Sequence, residues 1–263
     1  MKADRCVVLF LIILVFILPL SGRSQRKIVL NMPHYDEQLL HYGFALALNQ
    51  LFVTIKPVEN LSSLKFSGSS EIPDITPAPE QARVLSISCK PDMGFTVSIL
   101  GDLRIGNHFN LRFIPSFIYG STAILYTIEE LNMNPSTMKI DTIIESITKE
   151  IPSTYINFPL EIKFKAVRYN NFRPYLMVGA QYSLDLSSNA KKRAEPGQVQ
   201  FKQSDFYLAG GVGCDLYNEW FKLGIELKMM YGLNDKLAHK GTIYTETISN
   251  LQSKIFQLSV TFE

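Results

Sequence analysis

Apolar and polar residues alternate along much of the chain, most cleanly in "YINFPLEIKFKA". Ile156, Phe158, Leu160, Ile162, Phe164 and Ala166 fall on one face, and Tyr155, Asn157, Pro159, Glu161, Lys163 and Lys165 on the other. A period of two is that of a β-strand with one apolar and one polar side. The same rhythm sets Phe221, Leu223, Ile225, Leu227, Met229 and Tyr231 against Lys222, Gly224, Glu226, Lys228 and Met230. It sets Phe95, Val97, Ile99, Leu103 and Ile105 against Thr96, Ser98, Asp102 and Arg104. At the end of the chain, Phe256, Leu258, Val260 and Phe262 oppose Gln257, Ser259 and Thr261. The pattern predicts eight strands, at 42–55, 94–105, 109–119, 154–168, 172–186, 205–217, 220–233 and 254–262.

The connections alternate in length. Those at 56–93, 127–153, 187–204 and 234–253 are long, and 134–152 has room for a short helix. The others are "GNH" (106–108), "YNN" (169–171) and "NE" (218–219). Each short turn contains Asn, which tolerates positive φ. This is the layout of an all-β protein: an eight-stranded antiparallel up-and-down transmembrane β-barrel with long extracellular loops and short periplasmic turns. An even strand count puts both mature termini on the periplasmic side.

A soluble sandwich or lipocalin-like barrel would bury the same apolar faces as its core, with the charges facing water. Cross-strand matching favours the membrane barrel, whose charges line a wet interior. Tight hairpins centred on the Asn-containing residues set Asp102 opposite Arg112, Asp215 opposite Lys222, Glu161 opposite Gly179, and Glu226 and Lys228 opposite Gly211 and Ala209. Opposite charges across a ladder attract. Small residues facing long ones suit a lumen only just wide enough for side chains. Tyr42, Tyr119, Tyr126, Tyr155, Tyr169, Tyr175, Tyr217, Trp220 and Tyr231 lie toward strand ends, where interfacial girdles form.

The N-terminus adds a compartment. Lys2 and Arg5 precede a fourteen-residue apolar run, Val7 to Leu20, and then "SGRSQ" with Gly22 and Ser24 at −3 and −1 of a cut before Gln25. This is the layout of a cleaved secretory signal. As a membrane anchor the run would reach only ~21 Å, short of a ~30 Å hydrocarbon core. The division is a signal peptide at 1–24, a periplasmic segment at 25–41 and an outer-membrane barrel domain at 42–263.

Of 263 residues 46% are hydrophobic and the net charge is +2, which excludes a disordered chain and a strongly basic nucleic-acid binder. Cys89, in an expected loop, and Cys214, in a strand, remain after the signal, and whether they pair is left open. No CxxC or Cys/His spacing points to zinc, and no motif points to a cofactor.

Catalysis has one candidate. His34 and His41 precede or open the first strand and His108 lies in a turn. Only His239 falls among the long loops, with Asp235 near it and Ser249 and Ser253 further on. A Ser–His–acid site needs those residue types, but they are also ordinary in a solvated loop. The reading is that the chain has no catalytic, cofactor-binding or metal residues. Lys191, Lys192 and Arg193 could meet lipopolysaccharide phosphates or simply be solvated.

One stretch goes beyond a generic barrel, "NMPHYDEQLLHYGFALALNQ"; it is followed by "GDLRIGNHFNLRFIPSF" and "INFPLEIKFKAVRYNNFRPYLMVGAQY", whose motifs recur in many related barrels, and by "FQLSVTFE". Together they resemble the PorT family of Bacteroidota outer-membrane proteins, from about residue 31 to 263. The opening "PHYDE…HYGF" points to that family in particular. The resemblance implies an accessory or assembly role in the type IX secretion system, with other components of that system as partners and no catalytic residues to carry over. The segment Asn31 to His41, polar and aromatic with Tyr35, Asp36 and Glu37 close together before the first strand, is expected to carry part of the contact; a segment that only plugs or caps the barrel mouth is the other reading. A structural or adhesive barrel, or a surface enzyme acting on lipid, are the alternatives for the whole chain.

Overall fold

The computed structural model describes residues 29–67, 75, 79–134, 139–188, 199–239 and 241–263. The signal, its cut site and Lys191 to Arg193 lie outside them. The strands are β1 (Leu40–Pro57), β2 (Gln81–Arg104), β3 (Phe109–Phe113), β4 (Ser116–Asn134), β5 (Lys139–Lys165), β6 (Phe172–Asp185), β7 (Ser204–Tyr217), β8 (Lys222–Gly232) and β9 (Ile248–Phe262).

Two of these segments form a single stave. Between β3 and β4 lies Pro115, which has no N–H to give a ladder. Register runs through the break unchanged, since Gly101 opposes Phe113 and Ser98 opposes Ser116. Each stave pairs antiparallel with the next, and β1 pairs with both β2 and β9. The result is a closed, up-and-down ring of eight. Closure leaves no open edge at the level of the lipid, where an unpaired backbone group costs several kcal/mol.

The alternation fixes the faces. Phe44, Leu46, Leu48, Phe95, Val97, Ile99, Leu160, Ile162, Leu176, Val178, Ile225, Leu227 and Leu258 point outward and are exposed. Thr96, Asp102, Arg112, Asn157, Glu161, Lys163, Asp215 and Glu226 point inward and are buried. This pattern holds at the end that carries the short turns, 105–108, 166–171 and 218–221.

Toward the opposite end the polarity reverses. Val84, Ile124, Tyr126, Ile128, Ile151, Leu237, Ile243, Tyr244, Ile248 and Leu251 form a dry core inside the wall. Ser86, Ser88, Lys90 and Glu150 face out and are exposed. Here the chain follows the rule of a water-soluble protein. Strands β2, β4 and β5 continue well past the apolar band, and a short helix, Ile243–Glu246, packs Ile243 and Tyr244 inside them.

Several expectations are corrected. Residues 81–93 and 127–153 are strand, apart from 135–138, which lie outside the described residues; neither a long loop nor a helix forms at 139–152. Cys89 is therefore in β2, and it and Cys214 are both free thiols. Tyr126, Tyr155, Tyr175 and Tyr217 point into the barrel and belong to no girdle, whereas Tyr42, Tyr119, Tyr169, Trp220 and Tyr231 point out. Of the turn asparagines, only Asn170 has positive φ (54°).

Register was read correctly for two turns and missed at one. Asp102 opposes Arg112, and Glu161 opposes Gly179. At the third, Asn218 and Phe221 are joined by a backbone hydrogen bond of 3.0 Å, so the turn is centred on Glu219-Trp220, one residue later than expected. Asp215 then opposes Gly224, Glu226 opposes Gly213 and Lys228 opposes Gly211. Small residues still face long ones. A Cβ on Gly213 would sit 2.5 Å from the Tyr175 ring, so only glycine leaves space for that ring.

Leu227→Arg should cost about 2–4 kcal/mol of folding in lipid. The check is a urea titration of refolding into vesicles. Unchanged stability would mean that this face does not touch lipid.

Candidate functional site

From the turn end, the lumen is filled by ion pairs. Arg112 Nη1 lies 2.6 Å from Glu226 Oε1, and its Nε lies 3.6 Å from Asp102 Oδ2. Tyr175 Oη donates to the same Glu226 oxygen at 2.7 Å. Lys163 Nζ sits 2.8 Å from Asp215 Oδ2 and 3.7 Å above the Tyr175 ring. Lys228 pairs with Glu161, and Lys222 with Glu263, each at 2.6 Å. All of these groups are buried, so each charge depends on its partner.

Asp36 completes the set. The buried cations at the turn end are Arg112, Lys163, Lys165, Arg173, Lys222 and Lys228. The buried anions of the barrel here are Asp102, Glu161, Asp215, Glu226 and Glu263, one fewer. The sixth anion comes from the segment before β1. Its helical turn Tyr35–Glu37 places Asp36 Oδ2 3.1 Å from Arg173 Nη1. Tyr217 Oη, which donates to the carboxylate, lies 2.8 and 2.9 Å from its two oxygens. Burial pushes the Asp36 pKa up. The Tyr217 hydrogen bond and the charges of Arg173, Lys165 and Lys222 outweigh it and hold the carboxyl below its ordinary range.

Around this contact the segment closes the barrel mouth. Tyr35 stacks on His41 with ring centroids 4.4 Å apart and meets Tyr217 edge-on. His41 Nε2 donates to the Tyr35 carbonyl at 2.8 Å, which fixes its tautomer, since a carbonyl only accepts. Arg168 lies over the Tyr217 ring at 3.6 Å and donates to the carbonyls of Asn31 and Met32. Asn31 Nδ2 donates to the Tyr217 carbonyl at 3.0 Å. Tyr35 and Asp36 are thus turned inward. Pro33, His34, Glu37, Gln38 and Leu39 are left exposed.

Arg168, Arg173 and Tyr217 were missed in the sequence. A signal was there: "RYNNFR" places two arginines about a tight turn with no anion opposite them within that hairpin, although Arg173 also faces Asp215 of β7. Lys165, beside that turn, is buried as expected of the polar face.

Above the charges the lumen is filled by Leu51, Ile118, Tyr155, Tyr207, Ala209, Met230 and Ile255. Lys236 marks the boundary, 3.9 Å over the Tyr155 ring and 3.7 Å from Asp185. The dry core lies beyond. Cap, ion pairs, aromatic layer and apolar core follow one another along the barrel axis, and the described residues leave no passage for a polypeptide.

The imagined Ser–His–acid group is not assembled among the described residues. His239 Nε2 is 3.6 Å from Asp235 Oδ2. Asp235 is engaged in the loop itself, where it accepts the N–H groups of Leu237 and Leu251 and pairs with Lys202. Ser253 is buried in the wall, while Ser249 is exposed. His34 is exposed and meets Glu37 at 3.1 Å, and His108 Nδ1 donates to the Lys165 carbonyl at 3.0 Å.

The family described as outer membrane protein beta-barrel domain matches residues 25–238. The chain belongs to that family. The location of the barrel is accordingly the outer membrane, where the closed ring and the apolar outer band have their solvent. Among solved structures, it is similar to Neisserial surface protein A at 13% identity and a TM-score of 0.39, covering 85% of this chain and 98% of that one. The attachment invasion locus protein Ail of Yersinia pestis has 10% identity and a TM-score of 0.32, with 86% and 98% covered. The outer membrane protease OmpT of Escherichia coli has 8% identity and a TM-score of 0.37, with 86% and 96% covered. No curated protein sequence matches the chain.

Two outcomes follow for this family member. Asp215→Asn leaves Lys163 without its counter-charge and should cost about 3–5 kcal/mol, whereas Lys163→Met with Asp215→Leu should recover most of that. Refolding midpoints in vesicles compare the two. For Asp36, the folded pKa lies below the unfolded one. Its stabilisation is therefore present above the ordinary carboxylate value near pH 4 and lost as pH falls through the depressed one. Asp36→Asn should loosen the cap by about 1.5–3 kcal/mol at pH 7. Amide exchange over residues 35–38 reads both effects, with wild type accelerating only below about pH 4.

Proposed function

We propose that this barrel is a non-enzymatic accessory component of a type IX protein secretion system, needed for export of cargo with a sorting domain but not itself the conduit. The observation that carries the second half is the filled lumen, from the Asp36 cap to the core around Tyr126 and Tyr244. A barrel occupied in this way works as a scaffold or assembly factor in the membrane. The first half rests on the PorT-like stretches, above all the "PHYDE" opening.

In this reading the short turns and both mature termini face the periplasm, and the long loops face outward, where Lys191 to Arg193 meet lipopolysaccharide. The periplasmic contact is made by the exposed side of the cap, His34, Glu37 and Leu39, rather than by Tyr35 and Asp36, which are turned inward. Anchored residues presented on a fixed surface suit recognition better than a loose tail, because less order is lost on binding.

A gene deletion is expected to stop secretion of sorting-domain cargo. Replacement of His34, Glu37 and Leu39 by alanine should do the same with the barrel present at wild-type level. Normal secretion in the deletion strain would reject the role and leave a structural or adhesive barrel. Normal secretion in the triple variant alone would reject the surface.

A further inference from the structure

The wall is uneven in height. Strand β5 has 27 residues, but its neighbour β6 has 14. Their pairing stops at Tyr155 opposite Asp185. Beyond it, one backbone hydrogen bond of 2.7 Å joins Leu186 N–H to the Thr154 carbonyl. From Ser153 back to Lys139, β5 pairs with β4 on one side, and no described strand pairs with the other. Among the described residues this edge has no partner strand.

Exposed edges are normally blunted by proline, by charge or by a covering segment. The lower part of this one follows the rule. Pro152 sits where a missing N–H is tolerated, and Glu150 is charged and exposed. The stretch from Thr142 to Thr148 does not follow it. It has no proline and one charge, Glu145, and it exposes Ile143 (53%) and Ile144 (62%) beyond the apolar band.

Glu145 adds a charge argument. Glu130 opposes Ile143, and Ile128 opposes Glu145, so the two glutamates share the inner face of the sheet. Their carboxyls are hydrogen-bonded to each other, and burial and this neighbour raise the Glu130 pKa. Among the described residues no Lys or Arg pairs with either. A pair of adjacent acids at a free strand edge calls for a cation from outside.

A second copy does not fit. Two barrels in one membrane are related by an axis along its normal. Strands tilted at about 40° would then cross at about 80° instead of running antiparallel.

We propose that the edge of β5 from Thr142 to Thr148 is a strand-addition site for an extended polypeptide segment that carries Lys or Arg opposite Glu145 and a β-branched residue opposite Ile144. Backbone hydrogen bonds give such binding its strength, and alternate side chains give it selectivity. This inference is independent of the secretion role.

The test uses the mature full-length protein in nanodiscs and a fluorescein-labelled peptide, Thr-Val-Thr-Val-Lys-Val-Thr-Val-Thr. Saturating peptide should slow amide exchange at 142–148 at least tenfold and leave the turn end unchanged. Glu145→Lys in the protein, or Glu for Lys in the peptide, should weaken binding at least tenfold. A peptide N-methylated at alternate residues cannot pair as a strand and should not bind; it requires no protein variant to fold. Heat-modifiable migration confirms that Glu145→Lys still forms the barrel. The proposal is overturned if millimolar peptide gives no protection at 142–148, or if the N-methylated peptide binds equally well. It is also overturned if 142–148 is already protected without peptide, whether by dimers or by the chain's own residues.

Discussion

The buried charges of the turn-end lumen are the constraint on which the rest depends. An ion taken from water into a protein interior costs several kcal/mol unless a well-placed partner offsets it. Here the partners come from staves far apart in sequence. Arg112 and Glu226 are separated by 114 positions, Lys228 and Glu161 by 67, and Lys163 and Asp215 by 52. Asp102–Arg112 and Lys222–Glu263 join consecutive staves, but the other pairs cross the lumen. Most of the charge is therefore offset only in the closed ring, so the same side chains that would oppose burial in an open sheet favour closure. The glycines follow from this. Gly213 leaves room for the Tyr175 ring, Tyr175 holds Glu226, and Glu226 holds Arg112.

A second constraint acts along the barrel axis. Lipid outside and ions inside define the lower wall, and water outside and an apolar filling define the upper. A single sheet meets both because side chains alternate, so exchanging which parity is apolar exchanges which side is dry. Strand β4 shows the change within its own length. Tyr119 faces lipid, whereas Ile124, Tyr126 and Ile128 face the interior. In β2 the exchange is made by irregularities of register near Val84/Ser86 and Pro91/Phe95, where an offset lets the pattern change phase.

That exchange explains what could be read from the sequence and what could not. In the lower wall the outward residues are apolar and most inward ones are polar or small, so strand, face and most of the register were legible in residues such as Phe158 to Lys165. Above it, "TIEELNMN" and "KIDTIIESITKEI" combine an apolar inner face with a mixed outer one, and two adjacent isoleucines, Ile143 and Ile144, erase the period altogether. Five prolines in 56–93 suggested a loop, yet Pro91 lies in β2, where the ladder is already irregular. The turn at Glu219-Trp220 was missed because Asn218 is the better turn former in isolation. The wall prevailed there, since one residue of shift keeps Gly211, Gly213 and Gly224 opposite long side chains. The cap was illegible for a different reason. Arg173 and Asp36 lie far apart in the chain, and nothing local marks them as partners.

The cap is best understood as part of the charge network rather than as a separate lid. Without Asp36, six buried cations of the turn end face five buried anions there, and Arg173 and Lys165 have lost the carboxylate nearest the mouth. Removing the segment from the mouth therefore carries an electrostatic cost in the lumen as well as the loss of the Tyr35 stack on His41. A partner that bound by pulling the segment out would have to supply an anion in its place. One that binds the exposed side leaves the balance intact. The position of His34, Glu37 and Leu39 is in this way set by charges inside the barrel, and Asp36 is the residue through which the lumen, closed to traffic, still determines the surface presented beneath it.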